Sequence, residues 1–101
     1  MTHAETVAAL GDALLSRVLD GPAATTPALR QAAAGGADVP ADLEALVRKI
    51  HRHAYKVTDD DIRALQPTHS DDELFEVIVS AAVGAARERL RIGLGAIEEA
   101  R

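Results

Sequence analysis

Apolar residues recur every three to four positions along most of the chain, a spacing that is typical of amphipathic helices. No segment alternates apolar and polar residues with the period of two that a half-buried strand requires. The sequence Asp20-Gly21-Pro22 ends the first predicted helix, because proline cannot continue a helix. That helix runs from about His3 to Leu19, and its stripe consists of Val7, Leu10, Leu14 and Val18.

Two further helices have recognisable starts and ends. Pro27 after Thr26 predicts the start of a short helix that ends at Gly35-Gly36. The third helix follows Asp38 and Pro40 and gives way near Lys56. Its apolar stripe consists of Leu43, Leu46, Val47, Ile50 and Ala54, and the opposite face is basic through Arg48, Lys49 and Arg52.

Polar caps predict two more helices. Thr58 precedes a fourth helix from Asp59 to about Gln66, and Pro67 breaks the chain after it. The sequence Ser70-Asp71-Asp72-Glu73 forms a capping box that opens the last helix, which continues almost to Ala100. At about 1.5 Å per residue this helix is on the order of 40 Å long. A compact domain of this size has a radius of gyration of only about 13 Å. The helix therefore bends at Gly84 or Gly93-Gly95, or its end projects from the domain.

The last helix has two apolar stripes that face different directions. The first consists of Leu74, Val77, Ile78, Ala81 and Ala85, and the second of Ala86, Leu90, Leu94 and Ile97. Because a soluble monomer rarely leaves such a stripe in water, we expect a homo-oligomer that forms through the second one. The alternative is that the N-terminal helix folds back over it through Leu10, Leu14 and Val18.

Composition and charge narrow the function classes. The chain has 101 residues, the length of one domain (1–101), a formal charge of −5 and no cysteine. The acidic balance argues against nucleic-acid binding, and the lack of a long apolar run or signal peptide argues against a membrane and favours the cytoplasm. Without cysteine there is no thiolate for metal binding or catalysis. Twenty-one residues are alanine, so the core is modest.

The polar residues offer few candidate sites. His51 and His53 lie about 200° apart on a helix and cannot chelate one ion together. Both acidic clusters, Asp59 to Asp61 and Asp71 to Glu73, fall in first turns, where negative charge stabilises a helix. We therefore predict no metal and no cofactor. The third helix could offer an anion site through Arg48, Lys49, Arg52 and Lys56, although a solvated basic face is the simpler interpretation.

Three segments together resemble the alkylhydroperoxidase D-like, or carboxymuconolactone decarboxylase-like, superfamily. They are the helix from Pro40, the sequence Val57-Thr58-Asp59-Asp60-Asp61-Ile62, and the start Ser70 to Glu76 of an alanine-rich helix. The resemblance covers residues 39 to 97 and implies an all-α fold of five or six helices with a long C-terminal helix. Peroxidase members carry a Glu followed after eleven residues by C-x-x-C-x-x-x-H. With Glu44 as that glutamate, the cysteine and histidine positions hold Lys56, Asp59 and Arg63.

The resemblance thus implies the fold without the thiol-based activity. We expect a non-redox protein that acts in assembly or partner binding. The alternative is a cofactor-free enzyme of decarboxylase or lyase type that acts on a small carboxylated molecule. Its candidate catalytic residues are His51, His53 and Glu44, with a histidine as the proton-transfer group.

Overall fold

The computed structural model describes residues 3–21 and 23–101, apart from the side chains at positions 3–4, 7–8, 10–11 and 14–15. The described residues form five α-helices and two short 3₁₀ segments, Ala41–Leu43 and Ala54–Lys56, and contain no strand. The predicted all-α class and the long C-terminal helix are confirmed. The helices are α1 (His3–Asp20), α2 (Pro27–Gly35), α3 (Glu44–His53), α4 (Asp59–Leu65) and α5 (Asp71–Glu99).

Side-chain caps begin three of the helices, as the sequence predicts. The Thr26 hydroxyl accepts a hydrogen bond from the Leu29 amide at 3.2 Å. Thr58 begins α4 through a reciprocal capping box with Asp61, and Ser70 begins α5 in the same way with Glu73. Each cap pairs amide groups that have no partner within the helix, so local sequence sets these boundaries.

The core lies between α5 and the pair formed by α2 and α3. It includes the first stripe of α5 and the stripe of α3, and Leu43, Val47 and Val77 are almost fully buried. Two members of the predicted stripes are less buried than expected: Ile78 is half-buried and Ala54 is exposed. The backbone leaves helical geometry at His53 (φ −151°, ψ 66°), which turns Ala54 away from the core and corrects that prediction. The buried apolar residues are Leu19, Ala33, Val39, Leu43, Leu46, Val47, Ile50, Leu65, Leu74, Val77, Ala81 and Ala85.

α2 and α5 pack closely against each other at Gly84. A Cβ atom built on Gly84 would lie 2.2 Å from the Ala34 carbonyl oxygen and 2.6 Å from the Ala34 Cα atom. Only glycine fits there, because both atoms belong to the backbone. By contrast, a Cβ on Gly93 or Gly95 would meet no described atom within 4 Å. Of these three glycines, Gly84 is therefore the one at which another helix packs closely against α5.

The C-terminal end of α5 projects from the rest of the molecule. The helix is continuous from Asp71 to Glu99, and residues 95–101 are all exposed. The molecule is accordingly elongated, with extents of 51 × 29 × 20 Å. Of the two predicted arrangements, the projecting end is the one observed. The structure does not describe the side chains of His3, Val7, Leu10 and Leu14. The prediction that Leu10 and Leu14 cover the second stripe therefore concerns side chains outside the described part of the chain.

Candidate functional site

Of the three candidate catalytic residues, His51 borders a cleft that is lined mainly by apolar surface. Its Nε2 atom lies 2.8 Å from the Ala33 carbonyl oxygen, and its ring packs against Gly36. A carbonyl oxygen can only accept, so Nε2 carries the proton and Nδ1 is left as the basic nitrogen of the neutral ring. The backbone of α2 thus fixes both the orientation and the tautomer of His51.

The cleft beside His51 has a volume of about 330 Å³ and lies between the ends of α1 and α2 and the middle of α5. Two side chains at its edge are held in place. Arg87 forms an ion pair with Asp12 of α1 at 2.5 Å, and Glu88 pairs with Arg91 at 2.8 Å. The cleft is open to solvent on one side. Its lining residues are Leu19, Gln31, Ala34, Gly35, His51, Gly84, Arg87 and Glu88.

His53 and Glu44 are not assembled with His51. Both are exposed, and neither belongs to the described residues that line the cleft. The His53 ring packs edge-on against Tyr55, with 5.8 Å between centroids, and Tyr55 is 81% exposed. Glu44 borders a different, more polar depression near Arg48. The structure therefore does not bring the three predicted catalytic candidates into one site.

Several charged residues that the sequence offered as candidates form ion pairs between parts of the fold. Lys49 forms an ion pair with Asp61 at 2.8 Å, and its hydrogen bond lowers the pKa of that carboxyl below its usual value. This contact joins α3 to α4 and removes Lys49 from the suggested anion site on the basic face. His69 pairs with Asp42 at 2.6 Å. In residues 3–21 and 23–101, no three histidine or acidic side chains are arranged to hold a metal ion.

A buried polar cluster fastens the connection between α1 and α2 to the core, and the sequence did not reveal it. Arg30 is 3% exposed and donates from Nη1 to the Val18 carbonyl at 2.8 Å and from Nη2 to the Gly21 carbonyl at 2.6 Å. Glu76 of α5 accepts from the Thr25 hydroxyl and amide and from the Ala24 amide, at 2.6, 2.8 and 3.0 Å. These hydrogen bonds, the Thr25 hydroxyl's above all, lower the pKa of Glu76.

Four of the five large apolar residues that are exposed among the described side chains lie on α5; they are Phe75, Leu90, Ile92 and Ile97. On the predicted second stripe, Ala86 is exposed, Leu90 is 42% exposed, Ile97 is 54% exposed and Leu94 is half-buried. Phe75, near the start of the same helix, is 67% exposed and was not predicted to belong to a surface. Phe75 is the only phenylalanine of the chain, and its exposure could not be predicted from the sequence.

Comparisons with protein-family models, with curated proteins and with solved structures found no match for this chain. Among the helices of the described residues, none combines the length and the apolar character that crossing a membrane requires.

Proposed function

We propose that this chain is a non-redox helical protein that acts in assembly, as a homo-oligomer formed through the C-terminal part of α5. The observation that carries this proposal is the second stripe, in which Ala86, Leu90 and Ile97 are exposed and Leu94 is half-buried, on a helix whose end projects from the core. A contiguous apolar surface of this kind marks an interaction site in most soluble proteins. The resemblance to the alkylhydroperoxidase D-like superfamily supports the same proposal, since its members commonly form homo-oligomers.

The absence of cysteine supports the non-redox part of the proposal. A thiol peroxidase needs a thiolate of low pKa, and this chain contains no cysteine to supply one. The positions that align with the motif of the peroxidase members hold Lys56, Asp59 and Arg63. Asp59 lies in the first turn of α4 and Arg63 pairs with Asp60, so two of these positions have helix-stabilising roles instead.

Light scattering tests the assembly with one variant and one matched control. Leu90→Glu places a charge on the stripe, and we expect the particle to become smaller at tens of micromolar protein. Ile92→Glu changes an equally large aliphatic residue that is 63% exposed on the same helix but lies about 160° away from Leu90. We expect it to leave the mass unchanged. Equal effects of the two variants would contradict an interface at the stripe.

The cleft beside His51 supports a second candidate function, a cofactor-free enzyme that acts on a small carboxylated molecule. Nδ1 of His51 is the nitrogen that keeps a free lone pair in the neutral ring. Arg87 lines the same cleft, and its ion pair with Asp12 uses only part of a guanidinium that has five N–H donors, so donors are left for a carboxylate. The His51 ring resonances in an NMR titration with acetate and benzoate test this candidate. If this candidate function is right, the His51 ring resonances should shift when either acid is added at millimolar concentration, and the shift should be lost in Arg87→Gln. Unchanged ring resonances would contradict it.

A further inference from the structure

The apolar surface of α5 is longer than the second stripe alone. At about 100° per residue, seven apolar or glycine positions of α5 fall within about 40° on either side of Ala86, in a strip along the outer side of the helix. Six of them are exposed and Val79 is half-buried. Their spacing repeats after eleven residues, which is close to three full turns, so the strip runs almost straight along the helix. We call it the outer strip; it consists of Phe75, Val79, Ala82, Ala86, Leu90, Gly93 and Ile97.

Helix geometry places the positions four, seven and eleven residues to either side of any residue on one face, so the outer strip is symmetric about Ala86. Its intervals are four, three and four residues on each side of Ala86, which is the central position. A twofold axis perpendicular to the helix at Ala86 would therefore place every strip residue of one copy opposite a strip residue of the other. Such an interface is isologous, meaning that the same patch serves both copies.

Residue sizes on the outer strip match this antiparallel pairing. Leu90 of one copy would face Ala82 of the other, and Val79 would face Gly93, so at these two levels a larger side chain meets a small one. At the two ends Phe75 would face Ile97, which are both strongly exposed in the single chain. In a parallel pair in register, Leu90 would face Leu90 and Gly93 would face Gly93, so large and small residues would fall at separate levels and the glycine level would be left underpacked.

We propose that two copies of this chain pair antiparallel through the outer strip of α5, about a twofold axis at Ala86. The proposal rests on the proposed function and names its geometry. It extends the interface from the C-terminal stripe toward the start of the helix through Phe75, Val79 and Ala82. Gly93 joins the interface, and Leu94, which is half-buried, lies about 80° from Ala86 at its margin.

Charges at the edges of the outer strip are complementary in this arrangement. Asp72 lies in the first turn of α5, and the exposed Arg101 lies just beyond the end of the helix, where its contact with Glu98 is a long one of 3.9 Å. The twofold axis brings Asp72 of one copy beside Arg101 of the other. The antiparallel direction also places the acidic first turn of each helix beside the last turn of its partner, where the dipoles of the two helices attract.

Cysteine cross-linking tests the geometry without background, because the natural chain has no cysteine. We expect Ala86→Cys to form a disulfide-linked dimer on oxidation with copper phenanthroline, since the axis brings the two Cβ atoms within the roughly 4 Å that a disulfide spans. Phe75→Cys and Ile97→Cys should link to each other in an equimolar mixture, and neither should link to itself. In the antiparallel pair the two copies of position 97 lie about 33 Å apart. Ile92→Cys, exposed on another side of the helix, serves as the unlinked control.

The outcomes separate the geometry from the proposed function. Self-linked dimers of Phe75→Cys and of Ile97→Cys would show a parallel pair and overturn the antiparallel arrangement. A natural chain that is oligomeric by light scattering but gives no link at Ala86→Cys would overturn the twofold axis there and leave assembly through α5 standing. A natural chain that is monomeric at tens of micromolar would overturn both.

Discussion

Gly84 is the position where a single added methyl group should have the largest effect on this fold. Its Cβ would lie 2.2 Å from the Ala34 carbonyl oxygen, and ordinary contact distances begin near 3.4 Å. In Gly84→Ala, therefore, α2 and α5 must separate by about 1 Å along their packed interface. The obstructing atoms are backbone atoms, so no side-chain rotation relieves the contact.

The expected net effect is a difference between two opposing contributions. Alanine is favoured over glycine in a helix by about 1 kcal/mol. Overpacking of a well-packed core costs about 1–3 kcal/mol and sometimes more, and a backbone contact belongs at the upper end of that range. We expect Gly84→Ala to lose about 2 kcal/mol of unfolding free energy, which corresponds to roughly 8–16 °C in Tm for a domain of this size.

Gly95→Ala is the matched control on the same helix. A Cβ there meets no described atom within 4 Å, so only the helix-propensity gain remains. We expect Gly95→Ala to be more stable than the natural chain by up to about 1 kcal/mol. Urea unfolding followed by circular dichroism at 222 nm measures both variants. If Gly84→Ala were as stable as Gly95→Ala, the close crossing of α2 and α5 would be wrong.

Two further predictions concern the ends and the anchoring of α5. Ser70→Ala should cost about 1 kcal/mol through loss of the capping box, whereas Leu74→Ala, at a side chain 2% exposed, should cost about 2–5 kcal/mol in the same urea assay. Equal small losses would contradict the burial of that face. The pKa of Glu76 is lowered in the folded chain, so its stabilising contribution is present at neutral pH and is lost as the pH falls below about 4.3 through the folded value. Glu76→Gln should therefore be less stable at pH 7 and lose less stability on acidification than the natural chain, and parallel stability-against-pH curves for the two proteins would refute this assignment.

The features that the sequence predicted correctly are local ones. Thr26, Thr58 and Ser70 cap helices whose first turns lie within three residues of them, so their neighbours in the chain are enough to place the boundaries. The core side of α5 followed in the same way from the spacing of Leu74, Val77 and Ala81.

The features that the sequence could not predict depend on residues distant along the chain. Glu76 binds the backbone of Ala24 and Thr25 across about fifty positions, and nothing near Glu76 signals that partner. A glycine inside a helix likewise does not reveal which neighbour approaches it, so Gly84 and Gly93 look alike in the sequence and differ only in the fold. His51 was singled out by its residue type, but its tautomer follows from the Ala33 carbonyl, which the fold brings to it.

The mass of the natural chain in solution tests the central claim most directly. Sedimentation equilibrium over a range of concentrations separates self-association from the mass of a single chain, which is 10.6 kDa. If two copies pair through α5, the mass should approach twice that of the chain at tens of micromolar and fall toward 10.6 kDa on dilution. A mass of 10.6 kDa at every concentration up to that range would contradict assembly through the exposed surface of α5.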